Sequence, residues 1–254
     1  MSSRKELDYF SHKELLDDRL YYAEEMITSL ADYHSFFNGS QTNQILGESS
    51  VSYLFYPKVS QRIIRYNKNA KIIIMLRDPF ERSFSHYLMD FRLGLISESF
   101  DSIFSSKKGI YFQQYFQLGN YFQQVKQYLR VFGRDNVHII WYHDFIENTQ
   151  EQVNEVFRFL GLSKDDRLNF NKKHNVGSLP KNQLVRFIYS IYWLRKLFRS
   201  LFPDSFVSFL KSYLFVRKQI VLEHSVKKRV YNYYLQDIIH LERMLKVDLS
   251  IWKK

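Results

Sequence analysis

The run Lys71-Ile72-Ile73-Ile74-Met75-Leu76 constrains this chain more than any other stretch. It is rich in β-branched residues and too short for a helix, so it reads as a strand buried on both faces, of the kind found in parallel sheets. It ends at Arg77-Asp78-Pro79-Phe80-Glu81, where Asp78 suits an N-cap, Pro79 the first helical position and Glu81 the third residue of a capping box. A helix is therefore predicted from there, with Phe84, Tyr87, Leu88 and Phe91 on its buried face and Arg82 and Ser85 off that stripe. A second strand is predicted over 137–142, after a helix over 121–132 that Gly133 ends. A further helix over 150–160 stops at Gly161. The alternation is that of an α/β fold, a mostly parallel sheet flanked by helices in three layers.

Elsewhere the signals are weaker. Residues 15–37 read as mostly helical, 39–44 as a polar loop and 48–54 as a short strand or extended segment. Residues 226–245 place Val230, Tyr234, Ile238, Leu241 and Leu245 along one stripe of a final helical region reaching 252. Between 184 and 216, aromatic and aliphatic residues mix with Arg186, Arg195, Lys196, Arg199 and Lys211. That basic aromatic stretch fits either a membrane surface or helices packed on the core with solvated basic faces.

With 254 residues, 45% of them hydrophobic, the chain can bury a large core, and one domain over 1–254 is expected. The net charge of +11 implies an anionic partner: nucleic acid, an acidic membrane surface, or an anionic small molecule or glycan. A basic solvated surface is the plain alternative. The absence of cysteine excludes disulfides, thiolate metal sites and a cysteine nucleophile. No stretch has the length of a signal peptide's apolar run or of a membrane span, which predicts a cytoplasmic protein or one peripheral to a membrane.

Arg77 leaves the carboxyl end of the first predicted strand, and Ser85 lies two turns into the following helix. A guanidinium fork, a hydroxyl and the start of a helix together suit a phosphate, although an arginine there can instead pair with Asp78 or Glu81. The arrangement Arg77-Asp78-Pro79-x-x-Arg82-x-x-Ser85-x-Tyr87 resembles the 3′-phosphate-binding motif of sulfotransferases that use 3′-phosphoadenosine-5′-phosphosulfate (PAPS). Lys5-Glu6-Leu7-Asp8-Tyr9-Phe10 is similar to that family's Lys-Glu-x-x-Phe-Phe segment. Gly47-Glu48-Ser49-Ser50-Val51-Ser52-Tyr53 resembles its Gly-Glu-x-Ser-Pro-x-Tyr stretch, with Val51 in place of proline. Gly119-x-Tyr121, His174-Asn175-Val176 with Pro180-Lys181, and the closing Leu241-Glu242 to Trp252 pattern extend the likeness over nearly the whole chain. It is closest to the bacterial and glycan-modifying members, which resemble the domains acting on heparan sulfate.

The resemblance implies a fold like that of P-loop nucleotide kinases, PAPS as co-substrate, no metal, and a carbohydrate or similar acceptor with a hydroxyl or amine. It implies that Arg77 and Ser85 hold the 3′-phosphate, that Glu6 is the general base with Glu48 as runner-up, that Lys5 stabilises the leaving phosphate, and that Lys181 lies near the nucleotide. A surface glutamate near a frayed terminus is the alternative for Glu6, and a hydrogen-bonded structural carboxylate the alternative for Glu48. No nucleic-acid recognition motif is present, so nucleic acid is not the expected partner. One departure is large. The family's opening strand and Lys-x-Gly-Thr loop for the 5′-phosphosulfate would precede Lys5-Glu6, and none of the eight glycines supplies it. The expectation is an N-terminally shortened domain, and a chain that binds a 3′-phosphonucleotide without catalysing transfer stays open beside the enzyme.

Overall fold

The computed structural model describes residues 1–18, 26–41, 44–164, 221–253 and, between 165 and 220, residues 168, 170, 179–180, 191, 201–202, 206 and 214–216. Helices α1 (His12–Asp17), α2 (Leu30–Ser35), α3 (Ser52–Phe55) and α4 (Pro57–Tyr66) precede strand β1 (Ile72–Leu76). Helices α5 (Pro79–Leu93), α6 (Phe100–Ser106), α7 (Gly109–Tyr115) and α8 (Tyr121–Phe132) lead to β2 (Val137–Trp141). Then come α9 (Tyr142–Glu147), α10 (Thr149–Leu160), the two-residue strands β3 (Leu179–Pro180) and β4 (Phe215–Val216), and α11 (His224–Leu245). The chain divides into two compact units, Met1–Leu76 with Asn120–Lys164, and Arg77–Gly119 with Asp165–Lys254.

In the first unit β1 and β2 pair in parallel, Ile72 opposite Val137 and Leu76 opposite Trp141, so the predicted parallel α/β arrangement is present. The expectation that β1 is buried on both faces is corrected. Ile74 and Leu76 are buried, whereas Ile73 and Met75 are 42% and 45% exposed. Alternate residues of a strand point to opposite faces, and only one face of β1 is fully covered. Helix α8 turns Tyr121, Val125, Tyr128 and Phe132 inward at helical spacing and packs on α4, whose Val59 is fully buried. The Tyr128 hydroxyl donates to the Tyr53 carbonyl at 2.7 Å. Arg62 ties α4 to α1 through a two-pronged pair with Glu14, both arms 2.7 Å long.

Residues 15–37 are less helical than predicted. Among the described residues of that stretch, α1 ends at Asp17 and a new helix starts at Leu30. The Ser29 side chain accepts the Asp32 amide and so caps a helix of its own. Residues 48–50 form neither helix nor strand, and α3 begins at Ser52, so the short strand or extended segment expected over 48–54 is replaced by a helix at its end.

In the second unit the Asp78 carboxylate accepts the amides of Phe80 and Glu81, as an N-cap should, and Pro79 opens α5. The helix ends at Gly94, whose φ of +72° is the left-handed conformation that glycine takes at least cost. Its most buried row is Phe80, Ser83, Tyr87 and Asp90, with Phe84, Leu88 and Phe91 half-buried beside it. The predicted stripe was thus rotated, because two polar residues sit in the buried row. Asp90 is accommodated there by the Tyr115 hydroxyl, which donates to it at 2.8 Å.

Helix α11 packs against α5 and buries Val226, Val230, Tyr231, Tyr234, Ile238 and Leu241. It stops at Leu245, and Ser250–Trp252 forms a separate 3₁₀ turn. A β-carbon at Gly119 would lie 2.9 Å from the ring of the fully buried Tyr234, whose hydroxyl donates to the Phe116 carbonyl. That close approach is the physical reason for a glycine in Gly119-x-Tyr121. Of the basic stretch 184–216 only isolated residues are described.

Candidate functional site

The site residues named from the sequence fall into two clusters, one in each unit. In the first unit, segment 2–10 is stitched to segment 47–53. The amide of Ser2 donates to the Gly47 carbonyl (2.9 Å) and that of Glu6 to the Ser49 carbonyl (3.1 Å). The Asp8 amide donates to Ser50 Oγ at 3.0 Å and the Phe10 amide to the Tyr53 hydroxyl at 3.2 Å. Between these contacts Glu6 and Asp8 take φ of +54° and +52°. Left-handed backbone at a non-glycine residue costs about 1–2 kcal/mol, so the surrounding bonds must hold it there. Leu7 between them is 1% exposed and anchors the segment in the core.

Glu48 sits behind this segment. Its Oε1 accepts from Tyr33 Oη (3.0 Å) and Tyr53 Oη (2.9 Å), and its Oε2 from Ser50 Oγ (3.3 Å). Burial raises its carboxyl pKa, and the three hydroxyl donors work against that rise. Glu6 is exposed by area, yet loss of water around its carboxyl raises its pKa, with Asp8 adding and Lys5 opposing. Asp8 is raised by burial against the hydrogen bond it accepts from Ser52. Lys5 is exposed on the same segment. The structure therefore brings Glu6, Lys5 and Glu48 into one neighbourhood, with Glu48 engaged by three hydroxyls.

In the second unit Arg77 pairs with Glu81 at 3.4 Å. Glu81 thus faces Arg77, beyond the capping-box role expected of it. Glu81 and Ser85 are four residues apart on α5, so they share one strip of the helix and the guanidinium lies at its upper end. Ser85 is exposed there. A half-exposed pair of this kind is worth about 0–1 kcal/mol, so an incoming dianion can displace it. Arg82, part of the same motif, points elsewhere: its Nη2 donates to the carbonyls of Gln114 (3.1 Å) and Tyr115. Lys181, His174, Asn175 and Val176 lie outside the described residues.

Several residues escaped the sequence reading. Tyr33 and Ser50 organise Glu48, and only Ser50 fell within a quoted motif. Tyr231 donates to Asp78 Oδ2 from α11, and Lys227, one turn earlier, lies 5.6 Å from the Phe80 ring centroid. No short-range pattern links residues so far apart in sequence. Among the described residues no cluster of His, Cys, Asp and Glu has the makings of a metal site, and no helix is long and apolar enough to cross a membrane. Neither strand of the first unit's described pair leads into a glycine loop: β1 runs into Arg77-Asp78-Pro79 and β2 directly into α9.

Three comparisons bear on this arrangement. The chain is 34% identical over 85 residues to the membrane-associated sulfotransferase kil1 of Dictyostelium discoideum, a stretch that is 34% of this chain and 16% of that protein. It therefore spans only a small part of that relative's length. Its structure is similar to the crystal structure of a sulfotransferase from Alicyclobacillus acidocaldarius, with a TM-score of 0.69 and 25% identity over all of this chain and 87% of the other. The model of the sulfotransferase domain matches residues 26–185, more than half of the chain, and takes in Glu48, Arg77 and Ser85. With a parallel strand running through Arg77 into the capped helix that carries Ser85, this chain belongs to the sulfotransferase domain family.

Proposed function

We propose that the chain transfers a sulfuryl group from PAPS to a hydroxyl or amine of a carbohydrate-like acceptor. The observation that supports this most is the strip at the start of α5, where Arg77, Glu81 and Ser85 follow the carboxyl end of β1. A 3′-phosphate there would take the Arg77 fork from Glu81, accept the Ser85 hydroxyl and lie near the favourable end of the helix dipole. Lys181 is proposed as a further nucleotide contact on the family resemblance.

Glu6 is proposed as the base. Loss of water around its carboxyl raises its pKa, which makes it a better proton acceptor than an ordinary surface carboxylate. As the acceptor oxygen bonds to sulfur, the bond between sulfur and the bridging oxygen of the 5′-phosphate breaks. The acceptor proton passes to Glu6, and adenosine 3′,5′-bisphosphate leaves with the electron pair, its charge stabilised by Lys5. No metal enters this step. The net charge of +11 suits an anionic glycan. The Dictyostelium relative is membrane-associated, which makes a membrane surface worth testing, with 184–216 as the segment to test.

Calorimetric titration of adenosine 3′,5′-bisphosphate into the wild-type chain and Arg77→Ala, paired with transfer of label from ³⁵S-PAPS to heparosan and de-N-acetylated heparosan, tests the proposal. Binding that Arg77→Ala weakens by about 1.5–3 kcal/mol, together with labelled product, supports it. Binding without transfer to either polymer leaves a nucleotide-binding chain and overturns the catalytic part. No binding by the folded chain overturns the donor site.

A further inference from the structure

We propose that Glu48 is a positioning carboxylate that holds the segment carrying Lys5 and Glu6, through the hydroxyls of Ser50 and Tyr53; this rests on the sulfotransferase reading above. The argument is one of hydrogen-bond polarity. A hydroxyl has a single proton to give. Tyr53 and Ser50 both direct theirs to Glu48, at 2.9 and 3.3 Å, so only lone pairs remain on their oxygens. Those lone pairs accept the amides of Phe10 and Asp8, at 3.2 and 3.0 Å. A carboxylate that accepts at both oxygens thus fixes two hydroxyls as acceptors for the backbone on either side of Tyr9.

Tyr33 adds a third donor to Glu48, and the Ser49 carbonyl beside it takes the Glu6 amide. The backbone so held is the one that needs holding, since Glu6 and Asp8 both adopt the left-handed conformation that side chains resist. Without fixed acceptors the segment has every reason to relax to negative φ, which would swing the Glu6 carboxyl away from its place. Glu48 itself has both oxygens engaged by hydroxyls, which suits a scaffold better than a group that must collect a proton from substrate.

The test is Glu48→Gln in the full chain, read three ways: amide hydrogen exchange, calorimetric affinity for adenosine 3′,5′-bisphosphate, and turnover of PAPS with heparosan. The amide group of Gln presents a donor where the carboxylate only accepted, so one hydroxyl must reverse. Exchange at Glu6, Asp8 and Phe10 is expected to speed up by about tenfold or more, with Ile74 of β1 unchanged. Turnover should fall about 10- to 100-fold, the scale of a misplaced catalytic group, while nucleotide affinity stays within about twofold. Tyr53→Phe gives an independent reading should the first variant fold poorly: it removes the acceptor for Phe10 alone, and exchange should quicken at that amide with a smaller loss of turnover. Unchanged exchange in a folded variant overturns the proposal, as does faster exchange with full turnover. A wild-type chain that binds nucleotide but never transfers label overturns the sulfotransferase reading itself, and the catalytic role of Glu48 with it, whatever exchange shows.

Discussion

The hydroxyl of Tyr231 donates to Oδ2 of Asp78 at 3.3 Å, joining residues 153 positions apart. Asp78 uses Oδ1 for the amides of Phe80 and Glu81, so the two oxygens of one carboxylate fasten the start of α5 to α11. Stacking of Phe80 on Tyr231 at 4.8 Å reinforces the same junction.

Tyr231→Phe keeps the stack and deletes the hydrogen bond to a buried carboxylate. Its stability is expected to fall by about 1–2 kcal/mol in denaturant titration, with weaker binding of adenosine 3′,5′-bisphosphate because Arg77 sits next to the loosened cap. Unchanged stability and affinity would mean that the cap is set by α5 alone.

The two arginines of the motif should separate cleanly. The pair Arg77 makes with Glu81 is half-exposed and worth about 0–1 kcal/mol, so losing it in Arg77→Ala should cost little stability while nucleotide affinity falls. Arg82 serves the carbonyls of Gln114 and the fully buried Tyr115, so Arg82→Ala should cost about 1–3 kcal/mol of stability by removing a charged donor from both. Thermal melts and calorimetry on both variants make the comparison.

Val51 stands where the family places proline, yet its φ of −63° and exposed side chain are those a proline would have. Val51→Pro should therefore raise stability by about 0.4–1 kcal/mol by restricting the unfolded chain. A fall in the denaturation midpoint would show that the preceding Ser50, which accepts the Asp8 amide, is displaced by the ring.

Burial, with the Arg82 charge adding, lowers the pKa of His86 from 6.5 to about 4. A hydrogen bond to the Gln114 backbone opposes the fall, and Asp90, 3.7 Å away, is engaged by the Tyr115 hydroxyl. The unfolded chain takes up this proton below about pH 6.5, and the folded chain only near pH 4. The contribution of neutral His86 is thus full above pH 6.5 and lost as pH falls toward 4. Wild type should lose up to about 3 kcal/mol more than His86→Gln between pH 7 and 4 in urea titrations. Parallel curves would mean that His86 is charged in the folded state.

The local sequence was enough to place β1, the Asp78 cap, α5 and the glycine stop at Gly161, because a cap or a left-handed turn is settled by residues within one helical turn of it. It also singled out Arg77, Ser85, Glu6 and Glu48 through their motifs. It misjudged the cover over β1, since Ile and Met occupy a covered or an open face alike and give no sign of which. It also read 15–37 as mostly helical without the break before Ser29, where a short helix starts. What each polar group does was decided by tertiary structure. Glu6 and Glu48 look alike as isolated letters, and only the packing of α2 on segment 47–53 brings Tyr33 to join Ser50 and Tyr53 around Glu48. Arg82 turns to carbonyls 32 and 33 residues away, and Tyr231 reaches Asp78 over 153. A hydrogen bond acts over about 3 Å, so its partners depend on which parts of the chain packing has brought together, and no periodicity along the sequence carries that information.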